Sequence, residues 1–188
     1  TTLNENIYFV ISYNEKINLP NIEKVFFELD QTKVYWKSWC YKTPSFESYN
    51  DEILRSAMTL KLLNFEKTGA IIAAATTSIP EAIGEERNWD YRFCWIRDAS
   101  MVIKVISKIG HIKMVKNFID FILNIIPDKN EKLQIMYGIS GEKNLHEETL
   151  DYLSGFKNSK PVRTGNAAYI QKQNDIYGIL MDAIHFQI

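Results

Sequence analysis

Cysteine is almost missing from this chain. Cys40 and Cys94 are the only two in 188 residues. Two thiols without metal-ligand spacing exclude both a disulfide framework and a thiolate metal site. They read as reduced side chains, which makes the cytoplasm the expected compartment. An excess of one charge is missing as well. Lys plus Arg number 22 against 23 Asp plus Glu, a net charge of -1. That balance excludes the basic footprint of a nucleic-acid or anionic-membrane partner. No apolar run approaches the ~18 residues of a membrane span. Glycine is scarce at 8 residues, and none forms the G-x-G-x-x-G cradle for phosphate. The three histidines, His111, His146 and His185, have no partner at ligand spacing, so neither a metal nor another cofactor is expected. An initiating methionine is missing too. The chain opens at Thr1, its first methionine is Met58, and it stops at Ile188 inside an apolar-periodic stretch. The expectation is a piece of a longer polypeptide, cut at both ends.

What remains is an ordinary globular composition, 46% hydrophobic and 24% charged. A compact chain of this length buries about two-thirds of its unfolded surface. Residues 7–12, Ile-Tyr-Phe-Val-Ile-Ser, read as one strand. Residues 18–39 read as a helix, with Pro20 suited to its first position and Ile22, Val25, Phe26 and Leu29 on one face. Residues 41–50 form a loop. In the helix expected over 51–65, apolar residues spread around most of the circumference, which implies burial on several sides. Residues 69–78 are ambiguous between strand and extended loop, and residues 80–95 form a long loop of the functional kind. From Asp98 the helical period is clean: Val102, Val105, Ile106 and Ile109 share a face, and Gly110 suits the stop. Val115, Phe118, Ile119 and Ile122 repeat the pattern until Pro127. Residues 128–162 are irregular. From Asn166 the chain is expected to be helical again, with Ile176, Ile179, Leu180 and Ala183 in register. The class is mainly α: helical hairpins joined by long polar loops.

Chemistry concentrates in one of those loops. The chain holds 5 arginines against 17 lysines, yet Arg87, Arg92 and Arg97 crowd together there with Trp89, Tyr91, Phe93, Trp95, Asp90 and Asp98. A chain that prefers lysine elsewhere needs the rigid guanidinium fork at this place. Aromatic faces beside donor forks and carboxylates suit a sugar, whose ring stacks on an indole and whose hydroxyls both donate and accept. The same residues would also make a buried ion-pair and aromatic core that pins the loop. Asp98 could serve merely as an N-cap for the helix it precedes. Arg163, Gly165 and Asn166 form a second polar cluster, in which Asn166 could cap the last helix. The paired acids Glu85-Glu86 and Glu147-Glu148 read as solvated loop carboxylates.

The order of these segments resembles glycoside hydrolase family 15, which holds glucoamylases, glucodextranases and some microbial trehalases. The likeness is carried by Thr76-Thr77-Ser78-Ile79-Pro80-Glu81 and by Arg87-Asn88-Trp89-Asp90-Tyr91-Arg92-Phe93-Cys94-Trp95-Ile96-Arg97-Asp98-Ala99. It continues through Leu133-Gln134-Ile135-Met136-Tyr137-Gly138-Ile139, Pro161-Val162-Arg163-Thr164-Gly165-Asn166-Ala167-Ala168 and Asp175-Ile176-Tyr177-Gly178. Tyr35-Trp36 and the run from Arg55 to Leu63 also fit. The resemblance implies the first part of an (α/α)6 barrel over residues 51–188, a linker helix and loop over 18–50, and the last strand of a β-sandwich within 1–17. It implies an inverting hydrolase releasing glucose from an α-glucan or trehalose-type saccharide, with one glutamic acid protonating the leaving oxygen and one glutamate activating water. Both glutamates are expected beyond Ile188, so no catalytic residue is assigned and the 188 residues alone are expected to be inactive. The substrate-binding residues implied are Tyr91, Trp95, Arg97 and Asp98, joined by Arg163 and Asn166. The competing expectations are a non-catalytic or decayed sugar-binding fragment and a helical interaction module.

Overall fold

The computed structural model describes residues 8–14, 16–17, 21–126 and 132–185. The chain divides into two compact units, Thr1–Tyr41 and Lys42–Ile188. In the first unit, helix α1 covers Ile22–Tyr41, two residues beyond the expected end. Its start is capped by Asn21, whose Oδ1 accepts the amide N–H of Glu23 at 3.1 Å. Pro20 lies outside the described residues. No residue of α1 is buried, and Phe26, Phe27, Leu29, Val34 and Tyr35 are exposed. The strand expected over 7–12 is not found: residues 8–12 are irregular and exposed, and Ile7 lies outside the described residues. A β-branched run becomes a strand only when a neighbouring chain completes its ladder, and among the described residues none does.

The second unit is mainly helical. Helix α2, Asn50–Leu62, buries Ala57 alone, and Ile53, Leu54, Met58 and Leu60 are half-buried. The all-round burial expected from its composition is therefore absent; only one side meets the rest of the unit. Helix α3, Ile96–Lys108, begins two residues earlier than expected and buries Ile96, Ala99, Ile103 and Ile106. Its inner face is thus rotated from the expected one, and Val105 is exposed. Gly110 adopts φ 87°, the left-handed conformation that ends a helix at little cost for glycine. Helix α4, Ile112–Ile125, follows at once and buries Met114, Val115, Phe118, Phe121 and Ile122, close to expectation. The last helix, α5, Asp175–His185, buries Ile176, Leu180 and Ala183. It starts nine residues after Asn166, because residues 167–170 form a separate 3-10 turn. Helix α3 packs on both α4 and α5, and Ile103, Ile106, Phe118, Ile122 and Ile176 fill the core between them.

Two short antiparallel ribbons tie the loops to this core. Strand β1, Cys94–Trp95, pairs with β2, Met136–Tyr137. Strand β3, Glu148–Thr149, pairs with β4, Arg163–Thr164. Residues 73–78 run beside the aromatic loop: the amides of Ala73, Ala74 and Ser78 donate to the carbonyls of Phe93, Tyr91 and Trp89 at 3.0 Å each. The ambiguous stretch is thus an irregular extended rail rather than a strand. Gly69 starts it at φ 89°, where an added Cβ would strike the carbonyl of Asn117. Cys94 is fully buried, and burial pushes its thiol up to about 12, so it stays protonated and inert. No helix among the described residues is long and apolar enough to cross a membrane.

Candidate functional site

The rail, β1 and β4 together set up a cleft of about 560 Å³. Trp89, Tyr91 and Trp95 supply aromatic walls, and Glu147, Arg163 and Asn166 supply polar ones. The 3-10 turn Ala167–Ile170 closes one side. Four of the six expected binding residues, Tyr91, Trp95, Arg163 and Asn166, therefore meet around one cavity.

Arg97 and Asp98 adjoin this cleft rather than line it. The helix starts at Ile96, so Asp98 falls at its third residue and Trp95 takes the cap position. Asp98 is thus not the N-cap, although a carboxylate in the first turn still favours the helix dipole. The Arg97 guanidinium lies 5.6 Å from the centre of the Trp95 ring, a cation–π distance. Its Nη2 is 3.2 Å from Asp98 Oδ2, and its Nη1 donates to Gln173 Oε1 at 3.2 Å. The two side chains are 36% and 42% exposed, so neither is sealed inside the core. Asp98 Oδ2 itself is screened from solvent; its contact with Arg97 is an ion pair rather than an aligned hydrogen bond. Tyr91 feels the same acid. Burial, then the charges of Glu81 and Asp98, raise its phenol above the ordinary value, which keeps the hydroxyl a donor. The indole Nε1 of Trp95 is buried without a hydrogen-bond partner.

Across the cleft, Arg163 is held on every side. Its guanidinium stacks 4.7 Å over Trp89. Nη1 donates to Glu147 Oε1 at 3.1 Å and Nη2 to the Glu86 carbonyl at 3.2 Å. Its backbone is fixed too: the amide donates to Ser78 Oγ at 2.7 Å, and the carbonyl accepts from Thr77 Oγ1 at 2.7 Å. Nε remains buried with no partner. Asn166 caps the 3-10 turn, accepting the Ala168 amide at 3.0 Å, instead of capping α5.

Beneath the cleft, Asp90 is wholly buried. It takes a fork from Arg92, with Nε to Oδ1 at 2.9 Å and Nη2 to Oδ2 at 2.8 Å. Oδ2 also accepts the Gly165 amide at 3.1 Å, and the Asp90 carbonyl accepts Asn166 Nδ2 at 3.0 Å. This pair fits the pinning role that composition left open for the whole window. Gly165 has φ 78° and an added Cβ would strike the His146 carbonyl, so only glycine fits where β4 turns into the cleft.

Two lining residues escaped the sequence reading. Trp89 was part of the aromatic window without a site role. Glu147 read as a solvated loop acid, but it is only 18% exposed and bound at both oxygens, to Arg163 and to the Ala167 amide at 3.1 Å. Its partner lies 16 residues away and is brought to it by the β3–β4 pairing. No local pattern announces that contact. Among the described residues, no cluster of three His, Cys, Asp or Glu could hold a metal.

The profile of "Glycosyl hydrolases family 15" matches residues 47–187. The chain is 37% identical over 191 aligned positions to a trehalase of Mycolicibacterium smegmatis, covering 98% of this chain and 28% of the relative. It is 41% identical to a trehalase of Thermoplasma volcanium, covering 86% of this chain and 26% of the relative. It is 43% identical to trehalase 2 of Sulfolobus acidocaldarius, covering 73% of this chain and 24% of the relative. The chain thus spans about a quarter of the length of these relatives. No solved structure gives a significant match.

Proposed function

The chain belongs to glycosyl hydrolases family 15, and from that premise we propose that it forms the sugar-holding wall of an inverting hydrolase acting on a trehalose-type α-glucoside. One observation carries the reading: an indole-lined cleft flanked by two guanidinium–carboxylate pairs, Arg97–Asp98 and Arg163–Glu147. The names of the relatives support the substrate. In this reading the apolar face of a terminal glucose stacks on the Trp95 and Tyr91 rings. Arg97 donates to its hydroxyls, and Asp98 accepts from them. Hydrogen bonds to charged groups of this kind are worth roughly 1.5–3 kcal/mol each. Arg163 and Asn166 hold the far side of the sugar.

The chemical step is a single displacement. Water attacks the anomeric carbon as its bond to the bridging oxygen breaks; a carboxylate takes the water's proton, and a carboxylic acid protonates the departing oxygen. Those two carboxyls stand ~6.5–9.5 Å apart in an inverting site. We assign neither role to Glu81, Glu85 or Glu147. Glu81 pairs with Arg87 at 3.2 Å, both side chains well exposed. Glu147 has one oxygen on Arg163 and the other on the Ala167 amide, which suits a structural tie. The acid and base belong to the rest of the polypeptide. In the same reading residues 18–50 are a linker, 51–188 begin an (α/α)6 barrel, and 1–17 complete a β-sandwich whose partner strands lie elsewhere.

The test is the anomeric form of the first products, followed by proton NMR as the full-length protein hydrolyses trehalose. Inversion gives α- and β-glucose in equal amounts before mutarotation. α-Glucose alone would reject inversion, and no hydrolysis would reject the substrate. A second reading, that these 188 residues hold sugar without catalysing its hydrolysis, is favoured by the engaged state of Glu147. Turnover by the 188 residues alone would reject it.

A further inference from the structure

Arginine donates and never accepts, so a group that steadies Arg97 must show it oxygen. One terminal nitrogen, Nη2, stands 3.2 Å from Asp98 Oδ2, and the other, Nη1, donates to Gln173 Oε1 at 3.2 Å. Asp175 Oδ2 lies 3.7 Å from Nη1, an ion-pair distance too long for a hydrogen bond. Gln173 is half-buried in the segment between the 3-10 turn and α5. Its oxygen is given to Arg97, so its amide nitrogen is the end left for another neighbour. That nitrogen donates to Gln171 Oε1 at 3.1 Å. Gln171 is exposed and lines the cleft. With its oxygen taken, Gln171 has only its amide nitrogen to offer a ligand, and that nitrogen donates to no described residue. The polarity of the chain from Arg97 through Gln173 to Gln171 is therefore dictated by the guanidinium at its head.

We propose that Gln173 is a positioning residue for sugar binding: its amide steadies the Arg97 fork and commits Gln171 to donating a hydrogen bond at the cleft wall. Residues two apart on extended backbone share a side, and Gln171 is extended at φ -70° and ψ 156°. The spacing of the two glutamines thus brings their amides together. Both also line a smaller cavity of about 260 Å³ that shares Ile170 and Gln171 with the cleft. A neutral amide suits the task. A further carboxylate beside Asp98 and Asp175 would add like charge and draw the guanidinium away from a ligand. An amide oxygen holds the fork without neutralising it, and Nη1 keeps its second hydrogen for a hydroxyl. Gln173 acts through Arg97 and Gln171 and touches no reacting atom.

The inference rests on the saccharide reading, and the experiment separates the two. Steady-state hydrolysis of trehalose is measured for the full-length protein and its Gln173→Met and Gln173→Glu variants. Methionine keeps the length of the side chain and loses both hydrogen bonds. Contacts made equally to bound substrate and transition state govern KM rather than kcat. KM for trehalose should therefore rise at least about fivefold in Gln173→Met, with kcat within about twofold of wild type. Glutamate keeps the acceptor for Arg97 but cannot donate to Gln171, so Gln173→Glu should fall between the two. A residue that merely fills space would lower the active fraction, so a fall in kcat with KM unmoved overturns the proposal, as does an unchanged KM with unchanged kcat. If Gln173→Met does not fold, Gln171→Met at the exposed end of the chain decides. KM should then rise at least about twofold, and an unchanged KM overturns the proposal. A wild-type protein that hydrolyses no trehalose refutes the substrate reading, and calorimetric titration with glucose takes its place. Binding at least about fivefold weaker in Gln173→Met upholds the positioning role, and equal binding overturns it. A wild-type protein that binds neither sugar overturns both.

Discussion

Arg92 and Arg97 stand five residues apart in one aromatic stretch, and each faces an aspartate, yet the two pairs occupy opposite surroundings. Asp90 has no exposed surface; its oxygens are filled by the Arg92 fork and the Gly165 amide. Asp98 is 42% exposed and meets Arg97 through a single contact at 3.2 Å. The two arginines are similarly exposed, 46% for Arg92 and 36% for Arg97, so the contrast lies in the acids: Asp98 keeps exposed surface and Asp90 has none. The difference lies in depth and partner count, since the residue types are the same. The buried pair ties the aromatic loop to residues 163–166, and that tie holds the Trp89 and Arg163 sides of the cleft in register. The partly exposed pair lies in the first turn of α3, where Arg97 is also held by Gln173 at 3.2 Å and lies 3.7 Å from Asp175.

The sharpest way to break this comparison is to remove the buried acid. Asp90→Ala leaves the Gly165 amide without its acceptor inside the protein, whereas Arg92, about half exposed, turns to water. The expected loss is about 2–4 kcal/mol of stability, the range for an orphaned buried donor plus charged hydrogen bonds. Urea denaturation of the 188-residue chain measures it. A loss below about 1 kcal/mol would mean that the buried pair does not hold the loop.

A third polar group sharpens the contrast from outside the cleft. His111 is buried after Gly110, with Nε2 2.8 Å from Thr43 Oγ1. Burial, then the charges of Lys42 and Lys61, lower its pKa below the ordinary imidazole value. The folded chain therefore refuses a proton that the unfolded chain accepts. Stability should fall as pH drops through about 6.5, the unfolded imidazole value, and this contribution should level off below the lowered folded pKa. Urea midpoints between neutral and mildly acidic pH, compared with His111→Gln, isolate the effect. An unchanged slope in the variant would assign the pH dependence to other groups.

The smallest expected change in stability belongs to the partly exposed pair. Asp98→Ala should alter stability by less than about 1 kcal/mol, as for other partly exposed ion pairs. A loss matching that of Asp90→Ala would erase the distinction between them.

These contrasts also show which features a sequence can express. The α3–α4 turn was legible because Gly110, Val115, Phe118 and Ile122 obey local rules of helix period and termination. The aromatic loop was legible because arginine crowded where lysine was the habit. Asp90 and Asp98 looked alike, since nothing local distinguishes an acid beneath a cleft from one beside it. Glu147 looked solvated because its partners arrive through strand pairing and a distant turn. The rotation of the α3 face follows from packing on α5, which no local period records. Residues 8–12 have the composition of a strand but no ladder among the described residues, and propensity alone does not supply one.

Central to the account is that Arg97 and Asp98 grip a glucose unit rather than only each other. Calorimetric titration of the full-length protein and its Asp98→Ala variant with a glucose-mimicking inhibitor tests this directly. The account predicts at least about a tenfold loss of affinity, the lower end for a hydrogen bond to a charged group, with the unfolding temperature nearly unchanged. Equal affinity in the two proteins would contradict it.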